Sequence, residues 1–405
     1  MLGTLVACAL PSVDDGDDDG SAVSDVTADS ALPHLAVFFM VPTTQGAGDP
    51  ALENKVVDLI NETVPGSDLR IAMFRWSNTR PANAVVAASK RGVHVQVVLD
   101  EEVNEVSSAA DELEDDDADV GAVPTATKLE FRQAIETMLD GLPSGSVTFC
   151  TRGNGSCQGT NINHNKIYMF SKLSDGSENV VVQSSANLTT LKLHNNLVVS
   201  RNDKALYDGY VTYFAALQAH HKDLDYYRHV DGDQTIAYMF PRAEGDTITS
   251  VLDNVHCTSS SKIRITMAMW SDGRMDIVDG LRRLVDDHCD VRVNTRRAGT
   301  NVPAKIIDAL KQAGVKVFEY PDQHGTNIHS KYLLIDSDYA TAGGTSHRKL
   351  VWTGSHNYTL GALRDNDEVL LRVDDPTVFD AFMANWNTIH DQIANADEHV
   401  SAGGE

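Results

Sequence analysis

Two segments of the chain decide how it is read: Ile328-His329-Ser330-Lys331-Tyr332-Leu333-Leu334-Ile335-Asp336, and after it Val351-Trp352-Thr353-Gly354-Ser355-His356-Asn357. The same order occurs earlier, as Asn163-His164-Asn165-Lys166-Ile167-Tyr168-Met169-Phe170 and then Val180-Val181-Val182-Gln183-Ser184-Ser185-Ala186-Asn187. In each copy a His and a Lys stand two apart at the head of an apolar run. On a strand both side chains leave the same face, while the alternating residues pack behind. A second apolar run then ends in Ser-x-Asn, which sets a hydroxyl and an amide beside that face. Each copy thus offers a cation, hydrogen-bond donors and an imidazole, the groups a phosphoryl centre under attack requires.

The repetition extends outward from these segments. Arg70-Ile71-Ala72-Met73-Phe74-Arg75-Trp76-Ser77 lines up with Arg264-Ile265-Thr266-Met267-Ala268-Met269-Trp270-Ser271. Each follows a helical-looking segment (Asn54 to Thr63, Thr247 to His256) and precedes another (Pro81 to Arg91, Asp276 to Asp287). Each unit then enters a further apolar strand, Val93 to Leu99 or Val291 to Val293. Strands alternating with helices predict α/β layering with the strands buried between helices, and two such units predict a duplicated fold. The acidic stretch from Glu101 to Asp119 is expected to be a solvated insertion on the first unit.

A chain of 405 residues has room for two ordinary domains or one large duplicated one. Its formal charge of -25 argues against a broad electrostatic grip on nucleic acid, which needs clustered Lys and Arg. No stable nucleic-acid partner is expected, and a monomer is. No apolar run reaches the length of a membrane span. Residues 12–33 are rich in Asp, Gly and Ser and read as a solvated tether. Asp15-Gly16-Asp17-Asp18-Asp19-Gly20 imitates the start of a calcium loop, but Val26 stands where the bidentate Glu would be needed.

At the amino terminus, Leu5-Val6-Ala7-Cys8 resembles a bacterial lipobox, with Cys8 as the lipidation candidate; the alternative is a frayed apolar end. The other four cysteines group as Cys150 with Cys157 and Cys257 with Cys289, suited to two disulfides, with four separate buried thiols as the alternative. Both cysteine arguments point to an extracytoplasmic protein, secreted or anchored at a bacterial envelope.

The paired motifs resemble the phospholipase D superfamily, whose signature is His-x-Lys-x-x-x-x-Asp followed by Gly-Ser-x-Asn, occurring twice. The second copy is complete in His329, Lys331, Asp336, Gly354, Ser355 and Asn357; in the first, Ser171 stands for the Asp and Ser184 for the Gly. The resemblance covers the chain from about residue 35 onward. It implies a duplicated fold of two pseudo-symmetric α-β-α lobes, here 35–230 and 231–405 after a 1–34 tether, with the active site at their interface. One histidine would attack phosphorus and the other protonate the departing alcohol, a division of labour open to two coupled imidazoles near neutral pH. Lys166, Lys331, Asn187 and Asn357 would neutralise the non-bridging oxygens, so no metal or cofactor is implied.

The family also orients each histidine with a polar residue from the opposite half. Aligning Leu197-Val198-Val199 with Val369-Leu370-Leu371 sets Asn196 against Glu368. Glu368 is then expected behind His164, the nucleophile, and Asn196 behind His329, the acid. Asp336 is counted with the catalytic set through its motif, although that position is expected to stabilise its strand rather than touch substrate. Ser185, Ser355, Trp76 and Trp270 are candidates for contact with substrate, the tryptophans competing with a core role. His356 could contact a head group or pack beside its strand. Arg296 and Arg297 could meet an acidic substrate or sit on a solvated loop. His324, His329 and the cysteines lack zinc-site spacing. The expected activity is phospholipase D-type hydrolysis of a phospholipid at a membrane surface, such as phosphatidylcholine to phosphatidate and choline. A nuclease or other phosphodiesterase on the same scaffold is the first alternative, and a non-catalytic phosphate-binding envelope protein the second.

Overall fold

In the first half, β1 (Leu35–Met40), α1 (Ala51–Glu62), β2 (Asp68–Met73), α2 (Thr79–Lys90), β3 (His94–Asp100), α3 (Thr125–Gly141) and β4 (Val147–Cys150) lead into β5 (Lys166–Lys172), β6 (Glu178–Ser184), β7 (Leu193–Ser200) and α4 (Lys204–Ala219). The second half opens with β8 (Arg228–Asp231), β9 (Thr235–Met239), α5 (Thr247–Asp253) and β10 (Val255–His256). It continues through β11 (Lys262–Met267), α6 (Met275–Asp286), β12 (Asp290–Arg296), α7 (Ala304–Gln312), β13 (Lys316–Tyr320) and β14 (Asn327–Ile328). It closes with β15 (Lys331–Thr341), β16 (Gly344–Gly354), α8 (Leu360–Arg364), β17 (Val369–Val373) and α9 (Pro376–Ala402). This computed structural model describes residues 32–100, 125–151, 155–321 and 324–402. The lipobox at Cys8, the Asp-Gly run at 15–20 and the acidic stretch 101–119 lie outside the described residues.

The strands form two sheets of the same plan. The first runs β1-β7-β6-β5-β2-β3-β4 and the second β13-β12-β11-β15-β16-β17-β9-β8. In each, three strands are parallel (β2-β3-β4, β11-β12-β13) and the His-x-Lys strand enters antiparallel beside the first of them. That makes β2, β5, β6 and β7 the counterparts of β11, β15, β16 and β17. Because β8 pairs with β9 in the second sheet, the chain changes sheets before residue 228, ahead of the expected boundary at 230.

The strands read as near-continuous apolar runs because both faces of each sheet are covered. On the outer face of the first sheet, Leu59, Ile60 and Val85 from α1 and α2 pack against Ile71, Val97 and Tyr168. On the outer face of the second, Ile277, Leu281 and Leu310 from α6 and α7 pack against Ile263, Val293 and Leu333. A third cluster joins the two inner faces: Ile167, Met169 and Val181 with Leu334, Val351 and Leu371, wedged by Tyr210 and Phe214 of α4 and Phe382 and Trp386 of α9. Such large apolar side chains contribute about 1.5–3 kcal/mol each on full burial. The Trp386 indole also donates to Ile265 O at 3.0 Å, so α9 is pinned to β11 of the second sheet.

Cys150–Cys157 and Cys257–Cys289 are disulfides. Two such bonds suggest an oxidising, extracytoplasmic environment. Among the described residues, no helix is long and apolar enough to cross a membrane.

Candidate active site at the seam between the lobes

Each His-x-Lys lies where its strand leaves the sheet and meets the other half. His164 precedes β5 and His329 precedes β15; Lys166 and Lys331 open those strands, opposite Met73 and Met267. The heads are held from across the seam. His164 N donates to Asp367 O and His329 N to His194 O, both at 3.0 Å, and β14 adds to the first sheet by pairing with β7. Lys166 Nζ donates to His164 O and Lys331 Nζ to His329 O, each at 2.8 Å. The repetition seen in the sequence is therefore repeated atom for atom. All four side chains are buried.

The residues behind the histidines differ. His164 Nδ1 lies 2.8 Å from Glu368 Oε1, and His329 Nδ1 lies 2.8 Å from Asn195 Oδ1. Both partners are acceptors, which puts the proton on Nδ1 and makes Nε2, on the other edge of the ring, the basic nitrogen of each neutral imidazole. Glu368 is itself held by Ser355 Oγ and by Asn366 Nδ2 at 3.2 Å. Asn195 Oδ1 receives Ser185 Oγ at 2.9 Å, and Asn195 Nδ2 donates to Leu193 O at 3.2 Å.

Glu368 stands where the sequence placed it; Asn196 does not. Ser184 pairs with Leu197 and Gly354 with Leu370, so Asn195 is the counterpart of Glu368, and Asn196 that of Val369. Matching the apolar letters slipped the alignment by one residue, and on a strand one residue is the opposite face. Asn196 instead accepts from Thr353 Oγ1 at 2.7 Å, tying β7 to β16.

Other expectations move as well. Ser185 and Ser355 serve the supporting side chains just described rather than an open substrate face. Asp336 pairs with Lys262 across the strands and accepts from His347 at 2.9 Å. Five residues along β15 from Lys331, it lies roughly 17 Å from the site and is not part of it. Ser171, its counterpart, receives the Asp68 amide at 2.8 Å and closes the far end of β2 in the same way. Trp76 and Trp270 belong to the outer cores, Trp270 edge-on to Tyr358 at 4.8 Å. They back the turns after Asn187 and Asn357 through the bridges Trp76–Leu188 and Trp270–Tyr358 and do not wall a pocket.

Arg296, for which a solvated loop was the default, is buried and donates from Nε to Ile328 O at 2.6 Å, bracing the residue before His329; Arg297 is exposed. His356 is buried beside Phe240, ring centres 4.4 Å apart, and burial holds its pKa well below the ordinary value, so it is neutral. Ala186 fills the matching place in the first copy.

Gly354 shows why the Gly of the motif is needed in the second copy: its φ is +145°, and a Cβ there would meet Val369 O at 2.3 Å. Ser184 instead donates its hydroxyl to Asn196 O at 3.0 Å and accepts the Ala186 amide at 2.9 Å, which rebuilds the turn. Asn357 donates to Met269 Sδ at 3.7 Å. Asn187 is buried with no hydrogen-bond partner for its amide among the described residues. Leaving such a group unsatisfied costs about 1–3 kcal/mol, which fits a donor kept for a ligand oxygen.

Phe74 was missed. Its ring lies 5.2 Å from the His164 ring and 5.1 Å from Lys166 Nζ, forming an apolar wall on the first half of the site. The signal was in the quoted repeat, where Phe74 stands opposite Ala268. One group among the described residues, Cys150, Cys157 and His220, has metal-ligand spacing, but its two sulfurs are joined to each other and offer no thiolate.

A family model described as "Cardiolipin synthase, PLD-like domain" matches residues 56–218 and 255–390. Among solved structures, the chain is similar to phosphatidylserine synthase of Haemophilus influenzae Rd KW20, with 11% identity and a TM-score of 0.55 over 87% of this chain and 86% of the other. It is also similar to polyphosphate kinase from Porphyromonas gingivalis, with 14% identity and a TM-score of 0.52 over 87% of this chain; the match spans 50% of that kinase. No curated protein sequence matches the chain.

Proposed function

The chain belongs to the phospholipase D-like family of the cardiolipin synthase type, and from that premise we propose that it is a metal-independent phospholipid phosphodiesterase working through a phosphohistidine on His164. The observation that carries the assignment is the unequal support of the two histidines, a carboxylate behind His164 and a neutral amide behind His329. A carboxylate on Nδ1 stabilises the cationic phosphohistidine as it forms, whereas an amide fixes the ring without adding charge.

In the first step His164 Nε2 forms a bond to phosphorus, the bond from phosphorus to the departing alkoxy oxygen breaks, and protonated His329 gives that oxygen its Nε2 proton. In the second, His329 takes a proton from water or an acceptor alcohol as that oxygen attacks and the P–N bond breaks. Lys166, Lys331, Asn187 and Asn357 neutralise the non-bridging oxygens. Water gives phosphatidate and free alcohol; an alcohol gives headgroup exchange. The lipid reading draws on the family description and on the charge of -25, which is ill suited to a nucleic-acid backbone.

The test offers the oxidised protein phosphatidylcholine, single-stranded DNA and bis-p-nitrophenyl phosphate in parallel, with a chelator present. Turnover of the lipid and the generic diester is expected. Cleavage of DNA without lipid turnover would replace the lipid reading with the nuclease one, and no turnover of any substrate would favour the binding protein.

A further inference from the structure

We propose that Asp367 is a positioning residue for His164, and that the Cys150–Cys157 disulfide aims the main-chain amides that hold it; the inference rests on His164 being the attacking histidine. Asp367 is fully buried and works in two directions. Its main chain grips both sides of the His164 approach, N donating to Ile162 O at 2.9 Å and O accepting from His164 N at 3.0 Å. Its carboxylate turns the other way and accepts three consecutive amides, Cys157 N at 2.5 Å, Gln158 N at 3.1 Å and Gly159 N at 3.0 Å. The next residue is Glu368. One side chain thus anchors the short segment of the second lobe that presents both the carboxylate behind His164 and the carbonyl that pins its main chain.

Three successive N–H groups converge on one carboxylate only if the turn that carries them is tightly held. The disulfide holds it, bringing the Cα atoms of Cys150 and Cys157 to 4.5 Å. Contact with the other lobe completes the fit. Thr160 N donates to Asp365 O at 2.9 Å, and a Cβ on Gly159 would strike that same oxygen at 1.8 Å. The matching residue in the other half is His194, whose ring is held by the Tyr320 and Gln392 side chains, with no disulfide and no convergent amides among the described residues. The device therefore belongs to the half with the covalent step.

The charged and titratable groups facing Asp367 are Glu368 on its own segment and Tyr213 on α4, whose hydroxyl donates to Glu368 O at 3.5 Å. Burial, with the Glu368 charge adding to it, pushes the Asp367 carboxyl up to about 7 against the downward pull of the three amides. Loosening the amides lets Asp367 take a proton, which alters the charge behind His164 as well as its position.

The experiment follows the His164 ring by nitrogen NMR titration, together with the pH dependence of kcat on bis-p-nitrophenyl phosphate. Asp367→Asn sets an NH2 against one of the three amides, and Cys150→Ser/Cys157→Ser releases the turn. Both are expected to shift the His164 titration by about half a pH unit or more and to lower kcat at least tenfold with KM nearly unchanged. The control, Cys257→Ser/Cys289→Ser, is expected to lower Tm and leave the titration and kcat alone. An unchanged His164 titration in the first two variants, or the same shift in the control, overturns the proposal. If Asp367→Asn does not fold, the cysteine pair decides. Because the titration is read without turnover, a wild type that titrates normally but cleaves nothing would sink the phosphodiesterase reading and leave this test standing.

Discussion

His164 Nδ1 and Glu368 Oε1 are 2.8 Å apart, contributed by opposite lobes, and neither side chain reaches solvent. In so dry a setting the carboxylate stabilises a cationic ring far more than it would in water. Glu368→Gln keeps the shape and removes the charge. Its kcat is expected to fall by about 10²- to 10⁴-fold with KM little altered, measured on the generic diester. A loss confined to KM would remove Glu368 from the chemistry.

The amide behind His329 makes the opposite test. Asn195→Asp gives the acid a charged neighbour within hydrogen-bond distance, which favours its protonated form by about 1–3 pH units. In the proposed scheme His329 carries a proton to the departing alcohol, so the basic limb of the kcat–pH profile is expected to move to higher pH. The same change at Asn196, which faces Thr353, is expected to leave that limb in place.

Covalent labelling separates the two histidines. With a labelled diester and rapid quench into alkaline detergent, which preserves the acid-labile P–N bond, label is expected on wild type and on His329→Ala, and not on His164→Ala. Label retained after loss of His164 would reverse the roles.

Acid stability reports on a histidine outside the chemistry. Burial holds the His194 ring down at about 4, against about 6.5 in the unfolded chain. Its contribution to stability is present above pH 6.5 and is lost as pH falls towards 4, because the unfolded chain takes up the proton first. The shift is worth about 3 kcal/mol over that window. His194→Gln, which can still meet Tyr320 and Gln392, is expected to flatten the fall in a pH series of denaturant melts.

The Cys257–Cys289 bond closes a loop with a sequence separation of 32. Its removal is expected to cost about 3–4 kcal/mol, mainly through the freer unfolded chain, and to show as a lower Tm with unchanged kcat.

Much of this architecture could be read in the amino acids because duplication tests itself: two His-x-Lys heads, two Ser-x-Asn ends and matching strand pairs predict one fold twice. The disulfide pairs were legible from spacing, and Glu368 from its place after the second Ser-x-Asn. Asn195 was not, since Asn195 and Asn196 are the same letter and only the register says which faces inward. Asp336 was counted with the catalytic set only through its motif, and its pairing with Lys262 and His347 fits the expectation that it holds its strand. Asp367, Arg296 and Phe74 escaped for another reason. Their roles arise from pairing between segments far apart in the chain, such as Asp365–Glu368 with Gly159–His164, and local pattern carries no trace of that.

The exchange of supports across the seam has a consequence for how such a molecule can diverge. Two copies of a single half, related by a rotation axis, would have to give both histidines the same neighbour, and any substitution improving the nucleophile would alter the acid equally. Joining the halves in one polypeptide lifts that tie, so Glu368 and Asn195 can be selected separately. Inheritance is then joint: neither half can be traded for a foreign one without carrying off the residue that instructs its partner's histidine.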